Sequence, residues 1–168
     1  LYVGNAYPHK NLEIFLSVAT RFPDYEFVLV GKEDFFYKRL KAAVVARAID
    51  NIIFTGYVSD RELGKLYRYA SVYVFPSLYE GFGLPPLEAM QYGTPVLASN
   101  RGSLPEILGE AALYFNPEQE SELCEQLERI IKDDQLRADL RQKGYTQAAS
   151  YSWVRMAEQT LQEYQKAI

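Results

Sequence analysis

Apolar positions follow two rhythms along the chain. Short unbroken runs such as Phe27-Val28-Leu29-Val30 and Val72-Tyr73-Val74-Phe75 are rich in β-branched and aromatic residues. They do not alternate with polar residues, as expected of strands buried on both faces. The pattern predicts strands over residues 1–4, 26–31, 51–55, 72–76, 95–99 and 112–115. Between them, apolar residues recur at helical spacing. Leu12, Phe15, Leu16 and Ala19 share one face, as do Leu123, Leu127, Ile130 and Ile131. A second helix is predicted over residues 34–48, and two closing helices over 133–149 and 152–167. The last carries an apolar stripe of Val154, Ala157, Leu161, Tyr164 and Ile168.

Start signals sharpen these boundaries. Ser59-Asp60-Arg61-Glu62 has capping-box spacing, and Ser103-Leu104-Pro105-Glu106 repeats it, which assigns Glu106 to a cap. Asn116-Pro117-Glu118-Gln119 predicts another helix start, with Pro in the first turn. Strands separated by helices imply βαβ units, and right-handed crossovers then give a doubly wound, Rossmann-like α/β domain with a parallel sheet of about six strands. Ligands of such sheets bind beyond the carboxyl ends of the strands. The residues to watch therefore follow the strands: 4–10, 31–34, 56–59, 77–88 and 99–106.

Composition changes the picture by exclusion. The 168 residues, 48% hydrophobic and 24% charged, suit one globular domain spanning residues 1–168. The net charge of −4 argues against a broad nucleic-acid-binding face. No apolar run approaches the roughly 20 residues of a membrane span. His9 is the only histidine, and Cys124, the only cysteine, falls on a predicted helix as a buried small hydrophobe, so no metal site is expected. The 14 tyrosines are expected to be mostly half-buried surface packing, and Arg137, Arg141 and Lys143 a solvated face that leaves membrane-surface contact open. Because the chain opens inside a strand, an upstream part is expected to be missing.

The most informative stretch is Ser77-Leu78-Tyr79-Glu80-Gly81-Phe82-Gly83-Leu84-Pro85-Pro86-Leu87-Glu88-Ala89-Met90. It leaves a strand, turns through two glycines, and enters a helix with Pro in its first turn that Gly93 should end. The start of that helix offers main-chain amides to an anion. Glu80 and Glu88 bracket the turn as acceptors for hydroxyls. A phosphate between two polyols, the layout of a nucleotide sugar, satisfies the whole set. From the residues alone, a nicotinamide-binding Rossmann domain and a nucleotide-sugar-binding module without transfer activity are the competing readings. The first is disfavoured because Gly4-Asn5-Ala6-Tyr7-Pro8-His9 lacks the G-x-G-x-x-G fingerprint.

The stretch from Glu80 to Glu88 resembles the E-x7-E motif of retaining GT-B glycosyltransferases, in particular glycosyltransferase family 4 (group 1). Tyr2-Val3-Gly4 through Lys10-Asn11, Phe54-Thr55-Gly56-Tyr57-Val58, Gly93-Thr94-Pro95-Val96 and Gly102-Ser103-Leu104-Pro105-Glu106 resemble further stretches of that family. The resemblance covers essentially the whole chain. It implies the carboxy-terminal, donor-binding half of a two-domain enzyme, inactive as an isolated piece, whose amino-terminal domain holds the acceptor. It implies hexosyl transfer with retention from a GDP- or UDP-linked sugar, GDP-mannose being favoured by Lys10-Asn11, with no cofactor beyond the donor. It further implies a role in polysaccharide or lipid-linked glycan assembly, at a cytoplasmic location with peripheral contact to the inner membrane face for the full-length protein. By position, Glu80 and Lys10 are the catalytic residues, facing the transferred sugar and the diphosphate. Glu88 takes the ribose hydroxyls. The amides of Phe82, Gly83 and Leu84, beside Gly81, hold the distal phosphate. Val58 lies near the base, and Gly31 leaves room at the nucleotide. Many members carry Arg where this chain has Asn5, which is placed evenly between ligand contact and turn former.

Overall fold

A computed structural model describes residues 1–166. The chain runs β1 (Tyr2–Val3), α1 (Phe15–Arg21), β2 (Phe27–Val30), α2 (Phe35–Ala46), β3 (Ile52–Gly56), α3 (Asp60–Tyr69) and β4 (Tyr73–Phe75). It continues through α4 (Leu84–Gln91), β5 (Val96–Ser99), α5 (Leu104–Leu108), β6 (Ala112–Phe115), α6 (Glu120–Lys132), α7 (Asp134–Ala149) and α8 (Trp153–Lys166). All strand pairs are parallel, in two three-stranded sheets ordered β1-β2-β3 and β4-β5-β6. A seam joins them: the Leu1 nitrogen donates to the Val72 carbonyl at 2.9 Å, and the Val74 N–H donates to the Leu1 carbonyl at 2.9 Å. The six strands thus lie in the order β3-β2-β1-β4-β5-β6. Chain direction across the sheet reverses at β1 and β4, which makes that seam the topological switch point.

Local chemistry explains the boundaries. The Asp34 carboxylate accepts the Tyr37 N–H at 2.9 Å and starts α2. Ser59 and Glu62 close a full capping box on α3. Gly93, at φ 77°, ends α4 in the left-handed region that glycine enters without a Cβ penalty. Two expected starts fail. Ser103 is already helical in conformation and caps nothing, so Glu106 belongs to no capping box. The Ser103 hydroxyl donates instead to the Glu80 carbonyl at 3.1 Å. Asn116 and Pro117 form a turn in which Asn116 accepts the Glu118 N–H, and α6 begins three residues later at Glu120. The residues before α1 form tight turns, Pro8–Lys10 and Leu12–Ile14, rather than α-helix.

The core is aromatic. Tyr2, Tyr37, Tyr67, Tyr73, Phe15, Phe75 and Phe115 are fully buried. Tyr2 stacks on Phe75 at 6.2 Å, and Tyr73 stacks on Phe75 at 6.0 Å. Four tyrosines are therefore core residues, a correction to the half-buried surface role expected of this residue type. Each buried hydroxyl needs an acceptor, since an unpaired one costs about 1–3 kcal/mol. Three find consecutive carbonyls at the end of β1: Tyr73 to Val3 at 3.3 Å, Tyr37 to Gly4 at 2.8 Å, and Tyr2 to Asn5 at 2.7 Å. Cys124 is buried in α6, as expected of a small hydrophobe.

Of the basic residues of α7, Arg141 and Lys143 are exposed, as a solvated face requires, but the two arginines also bind main-chain carbonyls. Arg137 donates to the Ile130 and Ile131 carbonyls at the end of α6, and Arg141 donates to the Gly93 carbonyl at 2.9 Å. Only Lys143 makes a purely side-chain contact, to Glu110 at 3.3 Å. In α8, Trp153, Val154, Leu161 and Tyr164 are all exposed, so the apolar stripe packs on nothing among the described residues, and Ile168 lies outside them. No helix among the described residues is long and apolar enough to cross a membrane.

Gly31 shows how tightly the strand ends are fitted. A Cβ there would sit 2.1 Å from the Gly4 carbonyl oxygen and 2.5 Å from the Tyr37 hydroxyl. The first neighbour is backbone and cannot swing aside. Gly31→Ala is expected to lower the unfolding free energy by about 1–3 kcal/mol, read as a fall in melting temperature in a thermal scan; a change smaller than the scatter of replicates would contradict it.

Candidate functional site

The loops leaving β1 and β4 diverge at the seam, and four hydrogen bonds tie them and their neighbours together. The Leu78 N–H donates to the His9 carbonyl at 2.7 Å. The Asn11 side-chain amide donates to the Pro76 carbonyl at 3.2 Å and the Pro117 carbonyl at 2.8 Å, with Asn11 itself at φ 57°. The Ser103 hydroxyl holds the Glu80 carbonyl, and Gly102, at φ 60°, lets the β5 loop approach it: a Cβ there would come 2.9 Å from that same oxygen.

This framing brings Lys10 and Glu80 together. The Lys10 Nζ lies 2.5 Å from Glu80 Oε1, with the two side chains only 15% and 11% exposed. The ammonium also sits 5.4 Å from the centroid of the Phe75 ring, whose face favours a cation. One carboxylate oxygen is thus engaged, while Oε2 keeps its full acceptor capacity.

Beyond Glu80 the chain turns through residues 81–84 into α4. Gly83 is the residue before the helix, at φ 91°, where a Cβ would come 2.7 Å from Leu104 Cδ2. Pro85 and Pro86 occupy the first turn and have no N–H. The donors at this helix start are therefore those of the loop, and none of the N–H groups of residues 81–84 makes a hydrogen bond among the described residues. Gly81 differs from Gly83. Its φ is not positive and a Cβ there meets nothing within 4 Å, so nothing inside the chain requires glycine. Phe82 is half turned out, its ring edge-on to Tyr151 at 5.5 Å, and Leu84 is exposed. Ser77, at the foot of the loop, is fully buried and its hydroxyl has no partner among the described residues, an orphan of the kind that sites rather than cores tolerate.

One turn into α4, Glu88 is exposed, and its Oε2 accepts the Tyr67 hydroxyl at 2.8 Å. Burial raises the Tyr67 phenol above its usual range, with the Glu88 charge adding to it, so the hydroxyl remains a donor at any working pH. Asn5 is exposed, and its Oδ1 accepts the Tyr7 N–H at 3.3 Å, the bond of a turn former. Gly31 lies at the end of β2 against the Gly4 carbonyl. Val58 follows β3 and lines a cavity of about 870 Å³ with Leu1, Phe27, Val28, Leu66 and Leu127. That cavity is lined by neither Lys10, Glu80 nor Glu88. Sequence reading did not single out Tyr67, Ser103 as a brace on Glu80, or Asn11 as the clasp between loops. Their partners lie 21, 23, 65 and 106 positions away, and no local motif marks such pairs. Among the described residues no group of three or more His, Cys, Asp or Glu side chains gathers to hold a metal.

Chemically, the site offers unpaired amides for an anion, a lysine beside them, and two carboxylates for hydroxyls. A family model described as "Glycosyl transferases group 1" matches residues 1–147. The O-antigen chain mannosyltransferase B of Escherichia coli is 34% identical over 98% of this chain and 45% of its own length. A sucrose-phosphate synthase from Thermosynechococcus elongatus superposes with a TM-score of 0.89 at 30% identity, over 99% of this chain and 44% of that one. The Anabaena protein HepE, solved in complex with UDP-glucose, has the same fold, with a TM-score of 0.85 at 22% identity over 99% of this chain and 48% of that one. The chain thus spans less than half the length of these relatives.

The Lys10–Glu80 pair is expected to be energetically coupled. Lys10→Met and Glu80→Gln should each lower stability by about 1–3 kcal/mol, between the values of exposed and buried pairs. The double variant should lose less than the sum, by about 0.5–3 kcal/mol. Urea denaturation of the four proteins measures this, and strict additivity would show that the pair is incidental.

Proposed function

The chain belongs to the group 1 glycosyl transferases, and from that premise we propose that it is the donor-binding, carboxy-terminal part of a retaining hexosyltransferase of the family 4 type. The observation that carries the reading is the convergence, at the switch point of the sheet, of the Lys10–Glu80 pair with the unpaired amides of residues 81–84. A diphosphate lodged there meets donors on both sides. As the glycosidic bond breaks, negative charge grows on the distal phosphate. Amides already in place stabilise that charge more than they stabilise the bound donor, which is what lowers a barrier. Lys10 neutralises the leaving diphosphate. Glu80, oriented by Lys10, presents Oε2 to hydroxyls of the transferred hexose, and Glu88 receives the ribose hydroxyls. The acceptor hydroxyl, brought by the other half of the protein, attacks from the leaving-group face with retention.

Asn5 stands where many members have a cationic Arg, and the strand end makes up part of that loss. In a trans peptide the N–H points opposite to its C=O. Tyr37 and Tyr2 hold the Gly4 and Asn5 carbonyls inward, so the amides of Asn5 and Ala6 are turned away from the core and are free to face an anion. Val58 and Gly31 follow β3 and β2 at the carboxyl edge of the sheet, where the proposal puts the nucleoside, although Gly31 itself is required by the close Gly4 carbonyl. The mannosyltransferases among the relatives support mannose as the transferred sugar. On this reading GDP-mannose is the donor, with UDP-sugars as the competing class, no cofactor besides, and cell-surface polysaccharide or lipid-linked glycan as the product, made at the cytoplasmic face of the membrane. Residues 1–168 then form one domain whose amino-terminal partner holds the acceptor, and this half alone has no transfer activity.

Calorimetry with GDP, UDP and their sugars tests the reading. Glu88→Ala should weaken nucleoside diphosphate binding by more than about 100-fold, as two charge-assisted hydrogen bonds at ~1.5–3 kcal/mol each are lost, with an unchanged circular dichroism spectrum. Wild-type affinity in that variant would remove Glu88 from the site. Gly81→Ala should leave the melting temperature unchanged, since its Cβ enters open space, yet weaken diphosphate binding by about tenfold; equal affinity would mean that the loop amides do not touch the ligand.

A further inference from the structure

Four buried tyrosines each donate a hydrogen bond, and three of them use main-chain carbonyls. Tyr67 is the exception. Its ring is 1% exposed, yet its hydroxyl donates to the carboxylate of Glu88, an exposed charged group that water would otherwise solvate. A phenol that only needed an acceptor could use a carbonyl, as the others do. Spending it on a solvent-facing carboxylate fixes that carboxylate.

The phenol is itself fixed from several directions. Its ring stacks on Tyr92 at 5.6 Å with an interplanar angle of 14°, and lies tilted against Tyr73 at 5.8 Å. The Thr94 hydroxyl donates to the Tyr67 carbonyl. Gly64, one turn earlier on α3, makes room for the stack: a Cβ there would come 2.8 Å from the Tyr92 hydroxyl and 3.1 Å from its ring. The unit of Gly64, Tyr67, Tyr92 and Thr94 thus joins α3 to α4 and aims one hydroxyl at one carboxylate oxygen.

We propose that Tyr67 is the positioning residue of Glu88: by holding Oε2 it leaves Oε1 set to receive the vicinal hydroxyls of a ribose, and so makes the site selective for ribonucleotides. This inference rests on the reading of Glu88 as the ribose acceptor. Removing the hydroxyl leaves the ring, the stack and the core unchanged, but frees the carboxylate to rotate and to hydrate. The loss should therefore fall only on ligands that carry ribose hydroxyls.

The experiment titrates the full chain, as wild type, Tyr67→Phe and Glu88→Ala, with three probes. These are a nucleoside diphosphate (the tighter of GDP and UDP), its 2′,3′-dideoxy form, and inorganic pyrophosphate. The expected result is that Tyr67→Phe weakens the ribonucleotide by about tenfold, leaves the other two probes within about twofold, and keeps the wild-type circular dichroism spectrum, while Glu88→Ala weakens the ribonucleotide further. If Tyr67→Phe weakens all three probes alike, the hydroxyl serves only packing and the inference is overturned. If Tyr67→Phe binds the ribonucleotide as the wild type does while Glu88→Ala does not, the inference fails and the reading of Glu88 stands. If Glu88→Ala keeps wild-type affinity, both fail together.

Discussion

A tyrosine hydroxyl inside a protein must find an acceptor, and in this domain that requirement shapes the site. Tyr2, Tyr37 and Tyr73 are among the largest side chains of the core, and their hydroxyls meet three successive carbonyls where β1 ends. Burial holds all three phenols well above their usual range, so they act as permanent donors. The first loop of the site is consequently anchored by the core itself. Tyr67 does the same for α4 through Glu88. Packing and polar recognition are therefore one structure here: the rings fill the interior, and their hydroxyls set the loops at the carboxyl edge.

The seam between β1 and β4 gives these anchors a common destination. The loops that leave these adjacent strands are stitched together by bonds from Leu78 to His9, from Asn11 to Pro76 and Pro117, and from Ser103 to Glu80. Within a chain of net charge −4, one half-buried lysine lies at these loops, paired with one carboxylate. Because the remaining donors are neutral main-chain amides, the site can hold an anion without a basic surface around it, as preorganised dipoles allow.

The departures from expectation share a cause. Ser103-x-x-Glu106 has the spacing of a capping box, but a nearer use for the serine, the Glu80 carbonyl from a distant loop, overrides it. Arg137 and Arg141 look like surface charge in the linear pattern, yet they close the carbonyl ends of α6 and α4. Eight of the 14 tyrosines are exposed rather than half-buried, and four are drawn inside, where the end of β1 and the Glu88 carboxylate supply acceptors for their hydroxyls. In each case a side chain was claimed by a group that only folding brings near.

Element type and order, the parallel sheet, the Gly81–Phe82–Gly83 turn into a proline-led helix, and the placing of Glu80 before that turn and Glu88 one turn into the helix were all legible in the residues. They depend on periodicity, on the conformational limits of glycine and proline, and on local spacing, which a linear chain displays directly. What the tertiary structure alone decided is which side chains meet: Lys10 on Glu80 across 70 positions, Tyr67 on Glu88, Asn11 across two loops, and three phenols on one strand end. Those contacts arise from strand order and helix packing, and a sequence carries no local mark of the partner that a fold will place beside a given residue.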